Sequence, residues 1–103
     1  NLCDISTTSV LRASHIKEWA ESSKEERIDA NNGLLLCANH DALFDRHLIS
    51  FEPNTGNICI SASIDDDQRN ALNLSKSARI SMNDRMKAYM QIHYKKFIEK
   101  ENQ

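Results

Sequence analysis

The chain has 103 residues, a length that fits one domain. Apolar residues make up 40% and charged residues 27%, which is typical of a folded globular domain and excludes a disordered segment. The sequence contains no run of about 18 apolar residues, so it predicts no transmembrane helix. The 13 basic and 15 acidic side chains give a net charge of −2, whereas domains that bind nucleic acid are usually basic.

The start of the chain and its cysteines indicate the domain context and the cellular compartment that we expect. The first residues do not predict a signal peptide and there is no initiator Met, so we expect residues 1–103 to be a single domain cut from a longer protein. Cys3, Cys37 and Cys59 are an odd number of cysteines at wide spacing. This spacing does not suit a secreted disulfide framework and predicts a location in the reducing cytoplasm.

The first predicted elements are two strands with a polar segment between them. Residues 9–13 predict a strand that leads to His15. Residues 21–31 are polar and predict a loop with a helical turn. Gly33 then opens a short apolar run, residues 34–37, that predicts a buried strand.

A short helix and a hairpin are predicted next. Asn39 can cap a helix over residues 39–46. Residues 48–51 and 58–61 are apolar segments on either side of a turn cluster that contains the only proline. This arrangement predicts a β-hairpin with a longer loop.

The last third of the chain contains one strong helix signal. Residues 65–67 are three aspartates that predict a polar loop, and Ala71, Leu72 and Leu74 are expected to cover the core. A capping signature over residues 81–84 precedes an amphipathic helix over roughly residues 83–99. Its apolar residues recur at threes and fours, with a histidine expected in the core: Met86, Tyr89, Met90, His93 and Phe97.

Charge is unevenly distributed along the chain. Residues 1–78 carry 7 basic and 12 acidic side chains, whereas residues 79–103 carry 6 basic and 3 acidic ones. The near-neutral total therefore hides a basic C-terminal helix. Its lysines Lys87, Lys95 and Lys96 are candidate contacts to phosphate groups of a nucleic acid.

Two aspartates and a histidine suggest a reaction centre. Asp41 and Asp45 share a face if residues 39–46 are helical, and their like charges call for a cation between them. Mg²⁺ is a natural partner for carboxylate oxygens, and Mn²⁺ is the alternative. His15 can act as a general base near neutral pH. A base beside a metal held by carboxylates is a workable layout for phosphodiester hydrolysis.

Two segments resemble a known family. ASHIKEW, residues 13–19, and NNGLLLCANHDALFDRHLISF, residues 31–51, are similar to the HNH endonucleases of the His-metal finger superfamily. More narrowly, they resemble a bacterial branch with the pattern SHI, then NGLLL, then D-x-LFD. The resemblance runs from Cys3 to about Ser61. It implies an α+β fold with a ββα-metal core over residues 3–61, extended by a hairpin and a C-terminal helix.

The family's functional residues match positions in this sequence. His15 matches the base that activates water, and Asn32 matches the residue that braces the base-bearing loop or, in some members, touches the metal. Asp41 falls at the metal-binding position nine residues beyond Asn32, and Asp45 matches a second ligand. In the other register, counted from Asn31, the metal ligand is His40.

The sequence also departs from the family pattern. Ser14 stands where many members have an aspartate that binds the metal, and His47 stands where a glycine is common in this branch. Many relatives carry a structural zinc on two C-x-x-C pairs. A zinc ion is not expected here, because the corresponding positions keep three ligands and one unsuitable residue: Cys3, Cys37, His40 and Ser6.

The resemblance implies the cutting module of a restriction or anti-phage defence protein. Its DNA recognition would come from a fused or partner domain, or from a homodimer. A second hypothesis is a nucleic-acid-binding module of the same fold with weakened catalysis, which the departure at Ser14 favours. A third is a small zinc-stabilised interaction domain.

Overall fold

The computed structural model describes residues 11–72, 74 and 76–102, and these form a small mixed α/β fold of two antiparallel strand pairs and four helices. Short 3₁₀ turns lie at Trp19–Glu21 and Ala30–Asn32. The fold is compatible with the expected ββα core followed by a hairpin and a C-terminal helix. The elements in chain order are β1 (Leu11–His15), α1 (Lys24–Arg27), β2 (Gly33–Cys37), α2 (Ala38–Asp45), β3 (Ile49–Phe51), β4 (Ile58–Ile60), α3 (Asp66–Ala71) and α4 (Asp84–Glu101).

Strands β1 and β2 pair in antiparallel register, with His15 opposite Gly33 and Leu11 opposite Cys37. The strand predicted over residues 9–13 extends further than expected, since His15 is its last residue and not a residue beyond it. The strand is longer because its residues stay paired with β2 as far as His15, which lies opposite Gly33, the first residue of β2. Residues 9 and 10 lie outside the described part of the chain.

Helix α2 begins earlier than the sequence predicts. Its N-cap is Cys37, whose side chain makes no capping hydrogen bond, so the prediction of Asn39 as the cap is wrong. Strand β2 runs directly into the helix, and its extended backbone at Cys37 already provides the cap conformation. Two residues one turn apart, His40 and Phe44, form the buried face of the helix.

The end of α2 is a Schellman motif centred on His47. The Leu48 N–H donates to the Leu43 carbonyl at 2.9 Å, and the His47 N–H donates to the Phe44 carbonyl at 3.0 Å. His47 has a φ of 58°, a conformation that favours glycine, so the turn after the helix forms here with a histidine. The imidazole stacks on His93, with ring centroids 4.4 Å apart.

The predicted hairpin is confirmed, with each strand one residue shorter than expected. Ile49 pairs with Ile60, and Phe51 pairs with Ile58. Gly56 closes the connecting loop with a φ of 77°, and a Cβ atom there would lie 2.0 Å from the Ile80 carbonyl oxygen. Only glycine therefore fits this position.

The predicted aspartate loop is largely helical. Asp65 caps α3 by accepting a hydrogen bond from the Gln68 N–H at 2.8 Å, and the next two aspartates occupy the first turn. Acidic side chains are favourable there because they oppose the positive end of the helix dipole. As expected, Leu74 is buried and Leu72 packs on the core, but Ala71 is exposed.

The amphipathic C-terminal helix is confirmed as α4. Asn83 caps it by accepting a hydrogen bond from the Met86 N–H at 2.9 Å. Its apolar face packs against β3 and completes one hydrophobic core. Across the described residues no helix combines the length and apolar character needed to span a membrane. The largest fully buried apolar side chains are Phe44, Phe51, Ile16, Leu36, Ile49 and Met90.

His93 is the polar centre of this core, as the sequence predicts. Its ring stacks on Phe44 with centroids 3.7 Å apart, and its Nε2 lies 2.7 Å from the Phe44 carbonyl oxygen. A carbonyl can only accept, so Nε2 carries the proton and Nδ1 accepts from Ser50 Oγ at 2.8 Å. The imidazole is therefore held neutral, and burial lowers its pKa to about 4.

This buried histidine predicts a pH-dependent stability. The folded state resists protonation of His93, so its contribution is complete above the ordinary pKa of 6.5 and is lost as pH falls towards 4. The expected loss is about 3 kcal/mol, at up to about 1.4 kcal/mol per pH unit. Urea unfolding between pH 7 and 4.5 measures it, and the H93Q variant should show a shallower slope. An equal slope in H93Q would contradict the assignment.

Candidate active site

The last two residues of β1 serve two adjacent sites, because side chains alternate along a strand. Ser14 is buried and faces α2, where its Oγ donates a hydrogen bond to Asp45 Oδ1 at 3.2 Å. His15 faces residues 16–32, which connect β1 to β2 and which we call the β1–β2 loop. A carboxylate site and a histidine site thus begin from neighbouring residues at the end of one strand, on its two faces.

The carboxylate site consists of Asp41 and Asp45, one helical turn apart on α2. Partial desolvation raises the pKa of Asp45, and the negative charge of Asp41 raises it further, while the Ser14 hydrogen bond opposes both effects. The site therefore brings two like charges together, and the Ser14 hydrogen bond offsets only part of their effect on the pKa of Asp45. A divalent cation would relieve the repulsion, since carboxylate and hydroxyl oxygens suit Mg²⁺.

The number of protein ligands at this site is small. Among residues 11–72, 74 and 76–102, no three His, Cys, Asp or Glu side chains converge closely enough to hold a metal. A cation would therefore bind Asp41 and Asp45, with the Ser14 hydroxyl beside them and water in the remaining positions. Mg²⁺ usually binds proteins in this way, through one or two carboxylates and several retained waters.

In the histidine site, a hydrogen bond to the backbone orients the ring. His15 Nε2 lies 3.1 Å from the carbonyl oxygen of Arg27, which ends α1. Because the carbonyl can only accept, Nε2 carries the proton, and the neutral imidazole has its basic lone pair on Nδ1. The ring lines a cavity of about 400 Å³, whose wall also includes Asp29, Asn32 and Leu34.

Asn32, the last residue of the β1–β2 loop, bonds the start and the middle of that loop. Its side chain is fully buried, and its Oδ1 accepts a hydrogen bond from the Lys17 N–H at 2.7 Å. Its Nδ2 donates to the Glu26 carbonyl at 3.1 Å, one residue before Arg27. Both bonds reach backbone groups within two residues of His15 or next to Arg27, its hydrogen-bond partner.

Further bonds stiffen the same loop. Ser23 and Glu26 form a capping box on α1, with bonds of 3.2 and 2.7 Å. The Lys17 ammonium lies 3.0 Å from Glu26 Oε1. The Ser23 backbone N–H and then the Lys17 ammonium lower the pKa of Glu26. The Arg27 carbonyl thus belongs to a helical turn that is held by its capping box and by an ion pair.

His40, the metal ligand in the alternative register, is 2% exposed and points into the interior. Its Nε2 lies 2.8 Å from the Leu72 carbonyl oxygen, a bond that ties α2 to the end of α3. The zinc hypothesis uses His40 together with Cys37 and Cys3, and Cys3 lies outside the described residues. The negative charge of Asp41 acts on Asp45, which is bonded to Ser14. His40 is instead turned towards the segment after α3.

The three candidate phosphate contacts differ in their surroundings. Lys96 forms ion pairs with Glu21 and, at 3.6 Å, with Glu18. Lys95 is exposed. Lys87 lines a second cavity of about 220 Å³ together with Arg79. Lys87 and Lys95 make no salt bridge to any residue that the structure describes.

Two residues of this region were not predicted from the sequence. In the sequence Ser14 is only a departure from a pattern, whereas in the structure it bonds Asp45 and lines the histidine cavity. Asp29, two residues after Arg27, bonds both the loop and α4. A weak signal was present, because Asp29 precedes two asparagines as a residue that can cap a turn.

Comparison with known proteins adds one finding. A family model described as HNH endonuclease matches residues 1–52, slightly more than half of the chain. The match covers β1, β2 and α2 and ends just after β3, and it does not include α4. A search of curated proteins found no match.

Proposed function

Because this chain belongs to the HNH endonuclease family, we propose that it is a metal-dependent DNA endonuclease domain with His15 as its general base. The observation that carries the role of His15 is its hydrogen bond to the Arg27 carbonyl. That bond fixes the tautomer with the lone pair on Nδ1, the form that accepts a proton from water.

The reaction is hydrolysis of a phosphodiester. His15 Nδ1 removes a proton from a water molecule, and the water oxygen forms a bond to phosphorus while the bond from phosphorus to the leaving oxygen breaks. The leaving oxygen takes a proton from solvent. Asn32 keeps the β1–β2 loop in place around the base. A bound divalent cation would neutralise charge on the phosphate and leaving oxygen.

We assign the cation to Asp41 and Asp45, with Mg²⁺ or Mn²⁺ as the ion. The raised pKa of Asp45 supports this assignment, because its causes are partial desolvation and then the negative charge of Asp41, and a bound cation would oppose both. His40 is left out of the ligand set, since its Nε2 is bonded to a backbone carbonyl in the interior. In the same register, Asn32 and not Asn31 is the family's asparagine.

Cleavage of supercoiled plasmid tests the function directly. The protein is expected to nick the plasmid in the presence of Mg²⁺ or Mn²⁺ and to be inactive after EDTA treatment, with activity restored by added cation. The rival hypothesis, a binding module of the same fold, predicts DNA affinity that is unchanged by EDTA and no strand scission with any divalent cation. This outcome would reject the endonuclease.

The carboxylate site predicts a thermal response to metal. A cation at about one hundred times its Kd should raise the Tm by about 10 °C or more. D45N should raise the Tm without metal, because a carboxylate whose pKa is raised on folding costs stability at neutral pH. D45N should also lose most of the increase on adding Mn²⁺, whereas D67N, the same change on α3, should keep it. An undiminished metal response in D45N would place the ion elsewhere.

The substrate contacts and biological setting follow as further proposals. Lys87 and Lys95 are assigned to DNA phosphates, while Lys96 is occupied by its ion pairs with the β1–β2 loop. With a net charge of −2, the domain lacks the broad positive surface that tight DNA binding requires. On the resemblance of its motifs, we assign it to the bacterial SHI–NGLLL–LFD branch, as the cytoplasmic cutting module of a restriction or anti-phage protein. A fused domain, a partner or a second copy would provide recognition.

A further inference from the structure

Helix α4 holds the β1–β2 loop from outside the region that matches the family model. Near the start of the helix, Asn83 Nδ2 donates to Asn31 Oδ1 at 2.7 Å. Further along, Lys96 pairs with Glu21 and Glu18 at the other end of the loop. The loop that faces His15 is therefore docked against α4 at two separate places.

Asp29 is the main link between the loop and this helix. Its Oδ2 accepts hydrogen bonds from Tyr89 Oη at 2.8 Å and from Arg85 Nη2 at 2.5 Å. Its Oδ1 accepts from the Asn31 N–H at 2.9 Å. One carboxylate thus joins two residues of α4 to the turn that precedes β2, and its side chain is only 9% exposed.

The backbone of Asp29 connects this link to the histidine site. Its N–H donates to the Glu26 carbonyl at 3.3 Å, and its carbonyl accepts from the Asn32 N–H at 2.9 Å. Along the chain, Asp29 therefore lies between Arg27, whose carbonyl orients His15, and Asn32, which braces the loop. The Asn31 N–H and then Tyr89 lower its pKa to about 2, so the carboxylate is ionised under any working condition of the enzyme.

We propose that Asp29 is a positioning residue for His15, which acts by fixing the Arg27 carbonyl against α4 through Tyr89 and Arg85. This inference rests on the proposed role of His15 as the base. Loss of the carboxylate removes the main link between the loop and the helix, while the bonds of Asn83 and Lys96 remain. The Arg27 carbonyl then holds the Nε2 proton less firmly, and the fraction of the imidazole with its lone pair on Nδ1 falls.

The test compares D29N with D84N, the same chemical change at the exposed first residue of α4. The first readout is the ¹⁵N spectrum of the His15 ring, which reports its tautomer without any need for activity. We expect mainly the Nε2–H form in the wild type and D84N, and a mixture in D29N. The second readout is plasmid cleavage, where kcat should fall by about tenfold to a hundredfold in D29N. KM for DNA should stay within about a factor of three.

The outcomes separate this inference from the proposed function. If D29N keeps the wild-type tautomer, Asp29 does not position His15, whatever the activity. If the tautomer shifts but His15→Ala still cuts DNA, the positioning stands and the base assignment fails. If D29N does not fold, Y89F decides, because it removes one bond to Oδ2 and keeps the ring in the core. An unchanged His15 spectrum in Y89F would then overturn the proposal.

Discussion

Replacing His15 with alanine is expected to slow plasmid cleavage by about two to four orders of magnitude, the usual contribution of a general base. The physical reason is that His15 is the side chain that we assign to accept the proton of the attacking water. Stability should change little, because the ring is half-buried and lies at the end of a strand. Single-turnover cleavage with saturating Mn²⁺ measures the effect.

A rescue experiment controls for indirect damage in this variant. Added imidazole fits the cavity of about 400 Å³ beside residue 15 and should restore part of the activity of His15→Ala. Metal affinity should be unchanged, since Asp41 and Asp45 lie on α2. Undiminished cleavage by His15→Ala would show that another group is the base.

Asn32→Ala is expected to have the largest effect on stability, about 2–5 kcal/mol, with a parallel loss of cleavage. The variant leaves the Lys17 N–H and the Glu26 carbonyl without their buried partner, and each such group costs about 1–3 kcal/mol. Urea unfolding at pH 7 gives the free energy of unfolding. The measurement must be made with and without Mn²⁺, because a bound cation adds stability of its own.

Asn31→Ala is the matched control, because it makes the same truncation one residue earlier. Asn31 is only half-buried, and its side chain bonds Asn83 at an exposed position. Its loss should cost no more than about 1.5 kcal/mol, the net value of an ordinary hydrogen bond. If Asn31→Ala were the more damaging change, the register counted from Asn31 would be favoured, and His40 would become the metal candidate.

The elements that the sequence predicted well are those with short-range signals. The hairpin and α4 were expected within one or two residues, because a turn cluster and a cap with a period of three to four are local patterns. The helix over residues 66–71 was missed, because three successive aspartates resemble a solvated loop until one of them caps a helix. The N-cap of α2 was misplaced because the cap is made by a strand that runs directly into the helix.

In the candidate site, too, relations between neighbouring residues were predicted and contacts between distant residues were not. The sequence placed Asp41 and Asp45 one turn apart, since that relation needs only a helix between them. The roles of two other residues depended on distant partners. His40 meets the Leu72 carbonyl, 32 residues away, and Lys96 meets Glu21, 75 residues away. No pattern within a few residues contains that information.

The family, the order of strands and helix around His15, and the spacing of the acidic pair could be predicted from the sequence. The orientation of His15 by the Arg27 carbonyl and the bond from Asp29 to Arg85, 56 residues away, depend on the folded chain. The two groups differ because caps, turns and helix faces depend on neighbours within about four positions. Burial and long-range hydrogen bonds depend on which segments pack together, and here α4, outside the matched region, packs against the loop that faces the base.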